Sequence, residues 1–351
     1  MNKLELETPA LLVDLPRMES NLQKMAQFFT GTPAKLRPHF KNHKCPALAA
    51  RQLAAGAIGM TCATLHEAEC LVHHHVGSIL LANEVTDPAK IRRLGELAQQ
   101  AEVLVCVDNE KVVADFPLAL GQARNRLGIL VDVDVAAHRC GAAPGRPAVD
   151  IARSVVRHGL SLRGLMGYEG GSIRKLPSPQ REQEATAAMR ALVETACQVQ
   201  REGLPVEIVS AGGTGTYAIS GGFPGVTEIQ AGSYLLMDTD YRNCCRDFEP
   251  TLTVLTSVVS KTPEDRIVVD AGLKSLSCEH GNPTVKDILG LTIRKLTAEH
   301  GIIELQDPAA PVEVGDKIEF WVHYSDATVN LHERMWGIRN GSVEEVFQVE
   351  G

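Results

Sequence analysis

Eight short runs of β-branched and apolar residues recur along the chain up to about residue 236, separated by stretches of helical periodicity. A parallel sheet with crossover helices requires this alternation. The runs are LRPHFK (36–41), GMTCAT (59–64), SILLANEV (78–85), EVLVCVD (102–108), RLGILVDVDV (126–135), LSLRGLMGYE (160–169), VEIVSAG (206–212) and TEIQAGSYLL (227–236). Segments such as CPALAARQLAAG, DPAKIRRLGELAQQA and SPQREQEATAAMRALVETACQVQREG fill most gaps, and a first helix is expected from Leu15 to about Phe29. Eight strand–helix units in about 220 residues predict a closed (β/α)8 barrel of TIM type rather than an open sheet.

The pattern changes near residue 247. TLTVLTSVVSK, RIVVDAG, DILGLTIRKLT, GIIELQ, DKIEFWVH and VEEVFQVEG are strands without long helices between them, and several are parted by polar turns such as PED and NG. That predicts an all-β domain. The expected division is a barrel at 10–247 and a β domain at 248–351 joined by residues 1–9, with PALLVDL placed to pair with it. A barrel of roughly 250 residues plus a domain of about 100 accounts for the length.

Composition narrows the function. The formal net charge is −8 with no basic block, which argues against nucleic acid as a partner. No apolar run approaches the roughly 18 residues of a membrane span, and MNKLELETPALLVDL lacks the apolar centre of a signal peptide. The nine cysteines are an odd number without a CxxC pair. They read as reduced thiols of a cytoplasmic protein, the adjacent Cys244 and Cys245 as loop or core thiols. His73, His74 and His75 are consecutive, so on a helix they cannot face one ion. His332-Glu333 lacks the HExxH spacing.

In such barrels the chemistry sits at the C-terminal ends of the strands. The first run ends in His39-Phe40-Lys41-Asn42-His43. If extended, positions 39, 41 and 43 share a face. A lysine aimed into a barrel mouth is costly to bury and needs a partner or a task. Schiff-base chemistry is one task, since burial lowers the ammonium pKa; a solvated loop lysine, as Lys44 reads, is the plain alternative. The seventh run enters Ser210-Ala211-Gly212-Gly213-Thr214-Gly215-Thr216-Tyr217 and the eighth ends in Ala231-Gly232-Ser233-Tyr234. Small residues leave backbone N–H groups bare and threonines add donors, a phosphate cradle by composition. Loops after strands seven and eight commonly bind phosphate. Each alone also reads as a tight turn. Arg139 is a donor to an anionic oxygen or a surface arginine; Tyr168 lies against a planar ring or is a half-buried barrel tyrosine.

Together these segments resemble the fold-type III pyridoxal-5′-phosphate (PLP) enzymes, the alanine-racemase-like barrels, and within them the D-threonine aldolase/D-serine dehydratase branch. The resemblance covers nearly the whole chain. Arg37-Pro38-His39-Phe40-Lys41-Asn42-His43-Lys44 is similar to the branch's PLP-lysine motif, with Lys41 at the Schiff-base position. Asp270-Ala271-Gly272-Leu273-Lys274 resembles a site-facing stretch, and HYSDATVN (323–330) the metal-binding segment. The resemblance implies that Arg139 faces the PLP phenolic oxygen and Tyr168 the ring, and that Gly213, Thr214, Gly232, Ser233 and Tyr234 hold the phosphate. Gln230 falls where alanine racemases place an arginine against the pyridine nitrogen. His323 and Asp326 are the implied ligands of a divalent metal, Mn, Zn, Co or Mg, and a homodimer is implied as well.

The chain departs from the branch twice. The family's metal pair is a His followed two residues later by Asp or Cys, whereas residue 325 is Ser and Asp326 stands three after His323. D-threonine aldolases carry a His shortly after the ring-facing Tyr, and no His lies between His158 and His280. A metal-bound hydroxide, or His43 beside the cofactor lysine, is the candidate to take over the proton transfer. The implied activity is cleavage of a β-hydroxy-D-amino acid, of the D-threonine or 3-hydroxy-D-aspartate type, to glycine and an aldehyde. The alternative is D-serine dehydratase-like β-elimination to pyruvate and ammonia. A non-enzymatic PLP-binding homeostasis protein resembles the barrel alone, so the β domain counts against it. Arg174 or Lys175 either binds a second substrate carboxylate or is a solvated loop charge.

Overall fold

The computed structural model describes residues 1–262, 265–307 and 310–351. Two compact units make up the chain: a barrel unit of Met25–Lys41, Ala49–Gly232 and Gly351, and a β unit of Met1–Lys24, Asn42–Leu48 and Ser233–Glu350. In chain order the first strand, β1 (Ala10–Asp14), belongs to the β unit. The next eight build the barrel: β2 (Lys35–Leu36), β3 (Met60–Cys62), β4 (Ser78–Glu84), β5 (Glu102–Val107), β6 (Leu127–Asp132), β7 (Ser161–Gly167), β8 (Ile208–Ala211) and β9 (Glu228–Ile229).

All barrel pairings are parallel, in the order β2-β9-β8-β7-β6-β5-β4-β3, and a parallel bridge from His39 to Thr61 joins the two ends. This is the expected (β/α)8 architecture. Leu80, Leu104, Cys106, Leu130, Met166 and Ile208 pack together inside it. They come from β4 to β8, and Leu104 and Cys106 sit at alternate positions of β5, so one face of that strand is turned inward. Just after β2, Arg37 Nε donates to both carboxylate oxygens of Glu228, the first residue of β9, at 3.1 and 3.0 Å, and Arg37 Nη1 donates to Ser78 Oγ at 2.8 Å. A Cβ on Gly59 would come within 2.3 Å of Arg37 Nη1, so glycine there makes room for the guanidinium. The outer helices are amphipathic in the ordinary way. Arg146–Arg157 buries Ala148, Val149, Ile151, Ala152 and Val155 on one stripe, while Asp150 on the other face pairs with Arg146 and Arg153.

The β unit contains β1 and eight later strands: β10 (Leu252–Lys261), β11 (Arg266–Val269), β12 (Thr284–Val285), β13 (Leu291–Leu296), β14 (Gly301–Leu305), β15 (Lys317–Trp321), β16 (Arg334–Arg339) and β17 (Ser342–Gln348). The order is β13-β14-β11-β10-β1-β16-β17, with β15 pairing both β10 and β12. β1 lies between β10, to which it is antiparallel, and β16, to which it is parallel. Leu6, Ala10, Leu12, Leu255 and Ile338 form a core cluster on this sheet.

Two expectations need correction, and by contacts the chain groups otherwise than the 10–247 division: residues 10–24, 42–48 and 233–247 group with the β unit. β1 hydrogen-bonds to β10 and β16, and Asn21 Nδ2 donates to the carbonyls of Leu235 and Glu249. Next, the first barrel strand does not run to residue 41. It stops at Leu36, and Phe40–Asn42 is a 3-10 turn, so positions 39, 41 and 43 do not alternate on a strand face. Pro38 brings no N–H to a ladder, which favours the early stop. Finally, β15 ends at Trp321 and a one-turn helix, Ser325–Val329, comes after it. The strand parity that set His323 and Asp326 on opposite faces does not apply.

Candidate active site

In the barrel unit Lys41 is half-buried, and its amide donates to His39 Nδ1 at 3.4 Å. Gly232 comes close to the same turn, since a Cβ there would stand 2.5 Å from the His39 carbonyl oxygen. Only glycine permits that approach.

Arg139 rides on the loop after β6, and the loop is tightly returned. Val133 bridges to Ala142, Gly141 N–H donates to Asp108 Oδ2 at 3.1 Å, and His138 N–H donates to Asp134 Oδ1 at 2.8 Å. The guanidinium carbon lies 5.9 Å from the centre of the Tyr168 ring, within cation–π range. On the ring, a Cβ at Gly170 would reach carbon and hydroxyl atoms at 2.8 Å, and one at Gly213 would reach Cε2 at 3.3 Å. Side chains would fill the space beside Tyr168 that these glycines leave bare.

The expected cradle is organised by a residue that sequence reasoning missed. Glu169 is fully buried and accepts from Gly212 N–H at 3.1 Å, Thr216 Oγ1 at 2.7 Å and Ser220 Oγ at 2.5 Å. The loop carrying Gly213 and Thr214 is thereby fixed from behind, with its amides held in shape for an anion. Gln230 Nε2 donates to Ser210 Oγ at 2.8 Å, which ties β9 to β8. Glu84, Asp108 and Asp132, each at or just past the C-terminal end of its strand, were also missed. The signal was present in the sequence: three successive runs, SILLANE, EVLVCVD and LGILVD, each close on an acid.

In the β unit, Ser233 accepts from Met237 N–H through its carbonyl, and Tyr234 is fully buried, its ring 5.6 Å from that of Phe248. His43 is fully buried and its Nδ1 accepts from Cys45 N–H at 3.1 Å. Asn42, the residue after Lys41, donates from Nδ2 to both Ser325 Oγ and Asp326 Oδ1, each at 2.7 Å. Ser325 in turn donates from N–H and Oγ to Asp238, both at 2.7 Å. Burial pushes the Asp238 carboxyl up to about 6, against the pull of hydrogen bonds from Tyr241 and Ser325. Tyr324 stacks on His280 at 4.1 Å, and His280 Nδ1 bonds Asp240 at 2.9 Å.

The donors expected to hold a metal are suited to it separately. His323 Nδ1 is anchored on Thr239 Oγ1 at 2.8 Å, the kind of second partner that orients a metal-binding imidazole. Its Nε2 points towards Gly281, where a Cβ would be 2.7 Å away. Asp326 is oriented by Asn42. Among the described residues, no cluster of three ligand-type side chains includes His323 or Asp326. In the segment read as resembling a site-facing stretch, Asp270 accepts from Ser257 N–H at 2.8 Å and Thr8 Oγ1 at 2.5 Å. Arg174 is buried, only 5% exposed, so it is not the solvated charge it resembled, whereas Lys175 is exposed. His73, His74 and His75 are exposed as expected.

Residues 13–240 match the family model described as alanine racemase, N-terminal domain, and residues 251–338 match the putative serine dehydratase domain. The chain belongs to the alanine racemase N-terminal domain family. This places it among the fold-type III PLP proteins, as the motif around Lys41 implied. Of family relatives, a D-threonine aldolase from Arthrobacter is 35% identical over 98% of this chain and 92% of its own. A 3-hydroxy-D-aspartate aldolase from Paracoccus denitrificans is 34% identical over 99% and 93%. The crystal structure of D-threonine aldolase from Filomicrobium marinum superposes with a TM-score of 0.95 at 35% identity, covering 99% of this chain and 96% of that one. Within the family the expected barrel and C-terminal strand-rich domain are both borne out.

Proposed function

We propose that this protein is a PLP-dependent, metal-assisted lyase that cleaves β-hydroxy-D-amino acids to glycine, or its analogue, and an aldehyde. The observation that carries it is Asn42: buried, next to Lys41 in the chain, and hydrogen-bonded to Asp326 of the segment read as metal-binding. The two aldolase relatives favour the same reading.

Lys41 would attach the cofactor, Arg139 and Tyr168 would flank it, and the loop of Gly213 and Thr214, fixed from behind by Glu169, would take its phosphate. PLP, when bound, accepts the electron pair released as a bond at the substrate Cα breaks. His323 and Asp326 would hold a divalent ion, which would acidify the substrate β-hydroxyl; imidazole with carboxylate suits Mn, Zn or Co better than Ca. The Cys45 amide occupies His43 Nδ1, so the neutral ring carries its proton on Nε2 and is a donor there. The balance needs no co-reactant: the Cα–Cβ bond breaks, the hydroxyl proton passes to water, and Cα takes one proton back, for which the Nε2–H of His43 is a candidate donor. The free cysteines among the described residues suit a cytoplasmic protein, and no helix among those residues is long and apolar enough to cross a membrane. The homodimer rests on the resemblance alone.

The test is to supply D-threonine, 3-hydroxy-D-aspartate and D-serine separately with PLP and Mn²⁺. Glycine and an aldehyde from either of the first two, with the L-isomers inert, are expected. Lys41→Ala should abolish turnover and the borohydride-fixed adduct, and chelation should stop turnover while leaving the adduct. Pyruvate and ammonia from D-serine, with no aldehyde from the others, would replace the aldolase by a dehydratase.

A further inference from the structure

The β unit holds a cavity of about 370 Å³ on one face of its sheet, within the size range of small-molecule sites. Leu12 pairs with Thr253, and Thr253 with Trp321, so these three side chains stand in one row on that face. With Ile338 they line the cavity. Two cations lie by the Trp321 ring: the Arg17 guanidinium carbon is 5.2 Å from its centre and Lys286 Nζ 4.9 Å, both within cation–π range. Glu319 is bracketed by two ammoniums. It accepts from Lys3 Nζ, from Lys286 Nζ at 3.1 Å and from Thr253 Oγ1 at 2.8 Å. Burial pushes its carboxyl up, but Lys3, Lys286 and Thr253 outweigh burial and hold it below the ordinary carboxylate range. Lys3 is held in place by its own segment: Asn2 caps the 3-10 turn Lys3–Glu5, and Lys3 N–H donates to the Gly341 carbonyl at 2.9 Å.

We propose that this cavity binds a small organic monoanion, a carboxylate carried on a short apolar or aromatic body. Every lining residue belongs to the β unit, and none is among those assigned to the cofactor or the metal. Charge selects the class. The lining carries three cations, Lys3, Arg17 and Lys286, against two acids, Asp14 and Glu319, so one positive charge is left over. Arg17 Nε lies 3.5 Å from Asp14, which leaves the surplus with the two lysines around Glu319. An ammonium has three donors, and among the described residues Lys3 and Lys286 each spend only one, on Glu319. A guest carboxylate takes the spare donors and cancels the surplus in charge-assisted bonds. A neutral guest leaves that charge uncompensated, and a cation is repelled by it. The apolar body covers Trp321, Leu12 and Ile338, which gains from their burial. Glu319 competes with the guest for the same two ammoniums, so it sets the affinity low and its neutralisation raises it.

Calorimetric titration of the full chain, incubated with PLP so that the barrel's own anion site is filled, tests this with benzoate as the probe. Saturable binding with a Kd of about 1 mM or below is expected, and benzamide, its neutral counterpart, should bind at least about tenfold more weakly. Lys286→Met should weaken benzoate about tenfold or more, and Lys286→Arg should keep most of the affinity. Glu319→Gln should bind benzoate about fivefold more tightly, because a competing anion is gone. No saturable heat up to about 20 mM benzoate overturns the site, as does benzamide binding equal to benzoate. Affinity unchanged in Lys286→Met places the benzoate elsewhere and overturns it too. Weaker binding in a folded Glu319→Gln overturns the role given to Glu319; if that variant does not fold, the contrast between Lys286→Met and Lys286→Arg decides, and equal affinities there sink the proposal.

Discussion

Asp132 binds its proton more tightly in the folded chain than in the unfolded one, because burial and the neighbouring Glu84 both penalise the charged form. The stability it contributes is whole below about pH 4, the ordinary carboxyl range. That contribution is lost as pH rises through about 8. Asp132→Asn should flatten this part of the decline, read as urea midpoints at about pH 5 and about pH 9; equal slopes in parent and variant would contradict the assignment. Much of the residue scale was legible beforehand. Lys41 and the glycine loops stood out because their types are unusual at strand ends, and Arg139 and Tyr168 through the resemblance. Glu169 did not, because a buried carboxylate that serves other residues looks, in a sequence, like any surface acid.

At the scale of elements, strand existence was legible and strand length was not. Alternating apolar residues mark all eight barrel runs, yet β2 and β9 are two residues each where six and ten were expected. The residues just beyond each strand cut it short: Pro38 and the 3-10 turn after β2, and the Gly232 approach to His39 after β9. The strand β16, RMWGIR, was missed because three charged or bulky residues open it and Gly337 interrupts it. One pair of strands also carries a marked energetic consequence. Arg37 on the segment after β2 and Glu228 on β9 are 4% and 3% exposed and bonded twice. Removing one partner strands a buried charge, typically at a cost of about 3–5 kcal/mol. Glu228→Ala should lose stability of that order in urea unfolding, and a change under about 1 kcal/mol would show that water reaches Arg37.

For the molecule as a whole, the change from α/β to all-β near residue 247 was readable from the loss of helical periodicity. The membership of the β unit was not, since three stretches of chain contribute to it and pairing partners far apart in sequence leave no local trace. The placement of β1 between β10 and β16 bears on how the protein is made. Deleting residues 1–14 would open a slot with two unpaired strand edges, which invite pairing with other chains. The truncated protein should elute as large aggregates in size-exclusion chromatography, and a sharp peak at the parent's position would contradict this. The barrel strands pair mostly with near neighbours in sequence, whereas β1 meets β10 only after about 240 further residues have been joined, roughly 12–50 s at ordinary translation speeds. For that interval an apolar strand hangs without partners on the ribosome, so the first fifteen residues are where a holding chaperone would be most needed and where a fused tag would most disturb folding.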